Sequence, residues 1–146
     1  MENHFFVFVH SLLRYGVLLT VTAAGLLHLR GWLAQKALLN GDRAISVWAL
    51  ILCHVQLVIG IILYALNWNS YYHMSGSVGR FWRIEHPAAM VIAIALVTFG
   101  RASSKRAKDE RTKQKRIAIY YLIALVLILW AIPWPFREIG HGRGWI

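Results

Sequence analysis

The chain has a single cysteine, Cys53, among 146 residues. That excludes an internal disulfide, a C-x-x-C redox pair and a covalently attached c-type haem. Acidic residues are nearly as scarce, with six Asp and Glu against 16 Lys and Arg. Glu85 is the one carboxylate set against an apolar span, so a paired-carboxylate acid/base site is not expected. G-x-S-x-G, H-E-x-x-H and a phosphate-binding glycine-rich loop are all missing, which leaves hydrolytic and nucleotide-dependent chemistry without a motif. No internal repeat is visible, and with it goes the inverted architecture common in carriers.

What the chain has instead is apolar surface. Of its residues 58% are apolar and 15% charged, and the mean hydropathy is +0.51. A soluble domain of this length cannot hide that much apolar surface, whereas a bilayer accepts apolar runs of about 20 residues as helices. Four runs qualify, near residues 5–27, 45–66, 82–100 and 117–133. The expected fold is an all-α integral membrane protein, an up-down-up-down bundle of four transmembrane helices that forms a single domain. The first run contains Arg14, has no basic residue before it and no small-residue cleavage pattern after it, so it reads as a retained span and not a secretory signal.

The formal net charge is +10, and its distribution gives the orientation. The stretch "RASSKRAKDERTKQKR", Arg101 to Arg116, holds eight of the 16 basic residues, and the first connection adds Arg30, Lys36 and Arg43. Arg80, Arg83, Arg137 and Arg143 fall on the opposite side. By the positive-inside rule the connections 28–44 and 101–116 are cytoplasmic, and both termini and the loop from Asn67 to Arg80 face outward. Charge clustered this way serves topology and contact with anionic lipid, not nucleic acid. Trp68, Tyr71, Tyr72, Phe81, Trp82, Trp130 and Trp134 gather at the outer boundary and Trp32 and Trp48 at the inner, as an aromatic belt requires.

Polar side chains within spans are costly and therefore informative. His10 and Arg14 lie four apart on one helix face. His28 returns to that face five turns later, about 27 Å away at 1.5 Å per residue, and reads as interfacial. The second span holds His54 and, on a different face, Gln56, Gly60 and Tyr64. The fourth has no ionisable side chain after Arg116 and reads as a packing helix. In "FWRIEHPAAM", Arg83, Glu85 and His86 precede Pro87, which opens or kinks the third helix. Counting inward from each end places His10 and His86 at the same depth, about 6 Å below the outer surface.

Two imidazoles at one depth on diagonal helices are what a bis-histidine b-type haem needs, one nitrogen approaching each face of the porphyrin. Gly16, Ala89 and Ala93 would give the ring room, Arg14 or Arg83 would neutralise its propionates, and Glu85 would orient an imidazole or pair with an arginine. His54, nearer mid-membrane, is the alternative ligand. Three other readings stand beside this one. His86 and Met90, four apart, with His10, would suit copper. His54, Gln56 and Tyr64 would hydrogen-bond a quinone. A cofactor-free accessory subunit of a larger membrane complex, or a homo-oligomer, would use Arg14, Arg83 and Glu85 as an ion-pair network that fixes packing.

The stretches "HSLLRY", "HVQLVIGIILY", "FWRIEHPAAMVIAIALVTFGR", "PWPF" and "GRGW" resemble a group of small bacterial four-span membrane proteins carrying a generic cytochrome b label, over nearly the whole chain. The resemblance implies haem-mediated electron transfer in the bacterial cytoplasmic membrane, exchanged with a redox partner. Its matching positions are His10, Arg14, His54, Glu85 and His86. The chain departs from the better-known four-helix cytochromes b in lacking an inner partner for His28, which points to one haem and not two.

Overall fold

The computed structural model describes residues 4–141. Arg143 and the closing Gly-Arg-Gly-Trp lie outside that range. Helices account for nearly all of the described residues, and no strand occurs among them. The order is α1 (His4–Leu33), α2 (Asn40–Leu66), the short α3 (Trp68–His73) and α4 (Gly76–Arg80), a π-helical turn (Phe81–Glu85), α5 (His86–Lys105) and α6 (Glu110–Ala131). From α4 to α5 the helix runs unbroken through the π turn, as Gly76–Lys105.

Four helices are thus long and apolar enough to cross a membrane, and the chain is a membrane protein. The longest of these, 30 residues each, reach about 45 Å at 1.5 Å per residue, well beyond a hydrocarbon core of about 30 Å. The surplus corrects the expected loops. Residues 28–44 and 101–116 do not form loops, because α1 continues to Leu33, α5 to Lys105, and α6 begins at Glu110. Only 34–39 and 106–109 are left to connect helices. Lysine and arginine end the stretch that hydrocarbon tolerates without ending the helix, since both are good helix formers.

Local signals account for where these helices stop and start. Asp109 precedes α6 in extended conformation, and its side chain accepts the backbone N–H of Thr112 at 2.8 Å, an N-cap of the preferred kind. Past the end of α1, Gln35 adopts a left-handed φ of 52°. The Lys36 N–H then reaches back to the Gly31 carbonyl at 3.0 Å, a closure that usually places glycine at the left-handed position.

Packing pairs α1 with α2 and α6, and α5 with α2 and α6, so α1 and α5 lie diagonally across the ring of long helices. Small residues set the closeness. A Cβ on Gly100 would come within 2.6 Å of Tyr120 Cβ, and one on Gly25 within 2.8 Å of Leu122. On α6, Ile117, Ala118, Tyr121, Ala124 and Ile128 are buried in one stripe, and the Tyr121 hydroxyl donates to the Ser46 carbonyl of α2 at 2.7 Å. Leu19, Val58 and Val126 are 71%, 57% and 68% exposed. Aliphatic side chains presented outward in this way suit hydrocarbon as solvent.

His28 is fully buried, with Nδ1 on the Ala24 carbonyl at 2.8 Å. Its face of α1 lies under α6, admitted by Gly25 and by Gly31, where the Gln114 side chain occupies the space a Cβ would need.

Candidate functional site

Proline 87 is the local cause of the site's shape. It has no N–H to give the carbonyl four residues back, at Arg83, and its ring crowds that carbonyl. The chain answers with a π turn over Phe81–Glu85, in which the His86 N–H bonds the Phe81 carbonyl. The Arg83 carbonyl, deprived of its helical donor, accepts the Tyr64 hydroxyl of α2 at 2.9 Å. Such turns place one extra residue in a helix and recur at functional positions.

Immediately after this turn stands His86. Its Nδ1 meets the Ala131 carbonyl at the end of α6 at 2.8 Å, so the ring donates there and is held in one tautomer with Nε2 directed away from α6. Phe81 and Trp82 flank it, each with its ring centre 5.7 Å from the imidazole. On α1, His10 sits against Gly60 of α2, its Cε1 3.2 Å from where a Cβ would be. The His10 backbone carbonyl accepts the Gln56 side-chain amide at 2.8 Å.

His10 and His86 line the same two adjoining cavities. The larger, about 250 Å³, is also lined by Arg14, Cys53, Gln56 and Met90. The smaller, about 170 Å³, lies between α2 and α5 and is lined by Gln56, Gly60, Tyr64 and Pro87. Tyr71 and Trp82 line both, their rings stacked at 5.7 Å and 8°. Arg14 donates from Nη2 to the Tyr15 hydroxyl at 3.1 Å and lies 5.9 Å from the Trp134 ring centre.

The other expected site residues point elsewhere. His54 is exposed, bonded to its own helix at the Leu50 carbonyl (2.8 Å) and near Thr98 Oγ1 (3.5 Å). It lies outside both cavities. Arg83 donates to the Tyr72 carbonyl at 3.1 Å and so ties α3 to the π turn. Glu85 pairs with Arg80 at 2.6 Å, not with an imidazole. Both belong to the π turn, where ordinary helical counting does not give a side chain's direction. Gly16 faces Leu52 at 3.7 Å and opens no space beside the His pair. Ala89 and Ala93 are buried on α5.

Sequence reasoning missed the Ala131 carbonyl, which nothing but tertiary packing brings to His86. It also missed the contribution of α6, whose Ile128 helps to close the larger cavity. The Gln56, Gly60 and Tyr64 face was visible from its four-residue spacing, but its meeting with His10 was not.

For a haem, the donor chemistry fits. An imidazole whose far nitrogen is fixed by a backbone carbonyl is the usual state of a metal-ligating histidine, and a second imidazole and a guanidinium line the same cavity. At about 250 Å³, the cavity is below the range of roughly 300–1,000 Å³ typical of ligand pockets, so side chains around it have to yield to a tetrapyrrole. Among the described residues no three His, Cys, Asp or Glu side chains cluster as a metal site. Ligation here would rest on the two imidazoles, with Met90 as the nearest alternative.

No protein-family model, curated protein or solved structure matches this chain.

Proposed function

We propose that the protein is a small b-type cytochrome or cytochrome-like subunit, holding one haem between His10 and His86 and carrying electrons within a bacterial cytoplasmic membrane. The observation behind this reading is the His pair itself: two imidazoles from diagonal helices on one cavity, one of them fixed through Nδ1. Iron with two imidazole ligands has no open position, and so exchanges electrons without taking up oxygen.

The chain's own residues divide the supporting work. The Ala131 carbonyl keeps the proton on His86 Nδ1 and leaves Nε2 as the ligating atom. His10 faces the cavity from α1, and Arg14, on the same helix face, supplies positive charge for carboxylates. The Tyr71–Trp82 stack limits water at that end. In this reading the helices run up-down-up-down with both termini and the α3–α4 segment outside, because the lysine and arginine excess lies over residues 28–44 and 101–116, on the helix ends that flank the 34–39 and 106–109 connections. Electrons pass between a donor dissolved in the bilayer and a partner at the outer face.

A reduced-minus-oxidised visible spectrum with pyridine haemochrome quantification tests this on wild type, His10→Ala and His86→Ala. One haem per chain, lost in both variants, is the expected result. A colourless wild type from haem-replete cells sinks the cytochrome reading. Met90 lines both cavities with the two histidines, so copper is the second reading, given by elemental analysis of the same colourless sample. A metal-free protein recovered with a larger complex would be an accessory subunit.

A further inference from the structure

The smaller cavity differs from the larger in what surrounds it. Ile61 and Val91 on its rim are 58% and 54% exposed, so it opens sideways, between α2 and α5, onto the surface that faces hydrocarbon. Its inner end is polar. Gln56 spends its amide N–H on the His10 carbonyl, which leaves Gln56 Oε1 buried without a hydrogen-bond partner among the described residues. His10 Nδ1 is buried without one as well, and it faces α2, 3.8 Å from the position of a Cβ on Gly60.

Orphaned polar atoms are costly where no bulk water reaches them. If His10 ligates through Nε2, its Nδ1 carries the proton and donates, while Gln56 Oε1 accepts. A donor from α1 and an acceptor from α2 on one cavity complement a hydroxyl group, which takes one hydrogen bond and gives the other. Size narrows the ligand further. The cavity is about 170 Å³, and an apolar cavity of about 150 Å³ holds one benzene ring. A phospholipid headgroup with its glycerol does not fit. A single ring does, with an alkyl tail leaving past Ile61 and Val91 into the bilayer.

We infer that the crevice between α2 and α5 binds, from within the membrane, a lipid-tailed dihydroxybenzene of the quinol class, with one ring hydroxyl held between His10 Nδ1 and Gln56 Oε1. The donor and acceptor roles rest on the cytochrome reading, through the assignment of His10. Gln56 is a binding residue, and Gly60 provides the space for the ring.

The test uses the purified holoprotein under dithionite, so that no electron transfer intervenes. Two probes are compared, decylubiquinol and its 1,4-dimethyl ether, which keeps ring and tail but cannot donate. The quinol is expected to bind at least about tenfold more tightly, the usual effect of leaving a buried acceptor unmatched. Gln56→Leu erases the preference. A quinol with a photoreactive diazirine in its tail labels the segments around Ile61 and Val91, and Ile61→Trp at the exposed mouth abolishes that labelling. Equal affinities for the two probes, or labelling spread evenly over all four long helices, overturns the inference and leaves an apolar crevice or a site for an internal water. The wild-type comparison decides the matter even if Gln56→Leu does not fold. Haem content separates the two claims: one haem per chain without a quinol preference defeats only the crevice, and a preference in haem-free protein defeats only the cytochrome.

Discussion

At the scale of single residues, the pair His10 and His86 was legible because depth in a membrane can be counted along a helix. Arg83 and Glu85 lie in a π turn, where helical counting does not give direction, and His54, an alternative ligand by depth alone, lies outside the cavities because depth does not fix which way a side chain faces. Tyr64 gives a sharp test. Its hydroxyl replaces the backbone donor that Pro87 removes from the Arg83 carbonyl, so Tyr64→Phe is expected to destabilise the protein by about 0.5–1.5 kcal/mol, the net worth of a half-buried hydrogen bond. In a Pro87→Ala background the same change is expected to matter less, as a double-mutant cycle of thermal unfolding would show. Equal losses in both backgrounds would refute the substitution of one donor for another. Gln35, with its φ of 52°, makes the opposite prediction. Gln35→Gly is expected to stabilise by up to about 1 kcal/mol, read as a raised melting temperature in detergent.

At the scale of elements, the number of long helices and their order follow from apolar run length, but their ends do not. Hydropathy marks where hydrocarbon stops, whereas caps and turns mark where a helix stops, and the two differ by several residues at α1, α5 and α6. Asp109 shows a cap at work. The Thr112 N–H bonded to its carboxylate holds that group below the ordinary carboxylate range, so the ionised form stabilises the folded state. The contribution is complete above the unfolded value, near 3.9, and fades as pH falls through the lower folded value. Asp109→Ala should therefore lower the melting temperature at neutral pH and lose its effect in strong acid, while Asp109→Asn keeps the cap without the pH dependence. Close approach is the second device of this scale. With 2.6 Å between a Cβ on Gly100 and Tyr120 Cβ, Gly100→Ala forces α5 and α6 apart and is expected to cost about 1–3 kcal/mol. An unchanged melting temperature would mean that the two helices slide freely.

For the whole molecule, orientation rests on charge and is open to direct measurement. In a Cys53→Ala background, a cysteine at Ser77 is expected to react with a membrane-impermeant maleimide in intact cells, and one at Lys108 only after permeabilisation. The reverse pattern would invert the proposed topology and move the His pair to the cytoplasmic half. The sequence indicated which faces were unusual, but not which faces meet. Gln56 and Gly60 could not be joined to His10 from periodicity, because the relative rotation of two helices is set by the sum of their packing and not by either helix alone.

The π turn carries one more consequence, in phase. An α-helix advances about 100° per residue, and the extra residue in the turn offsets everything before it by about that angle relative to everything after. Phe81 and Trp82 therefore belong to a different wheel from His86 and Met90, and a one-residue deletion between 81 and 85 would bring the two wheels into step. The aromatic stack would swing away from the cavity while α5 kept its place, so the chain's length between Trp82 and Pro87 is itself a structural constant.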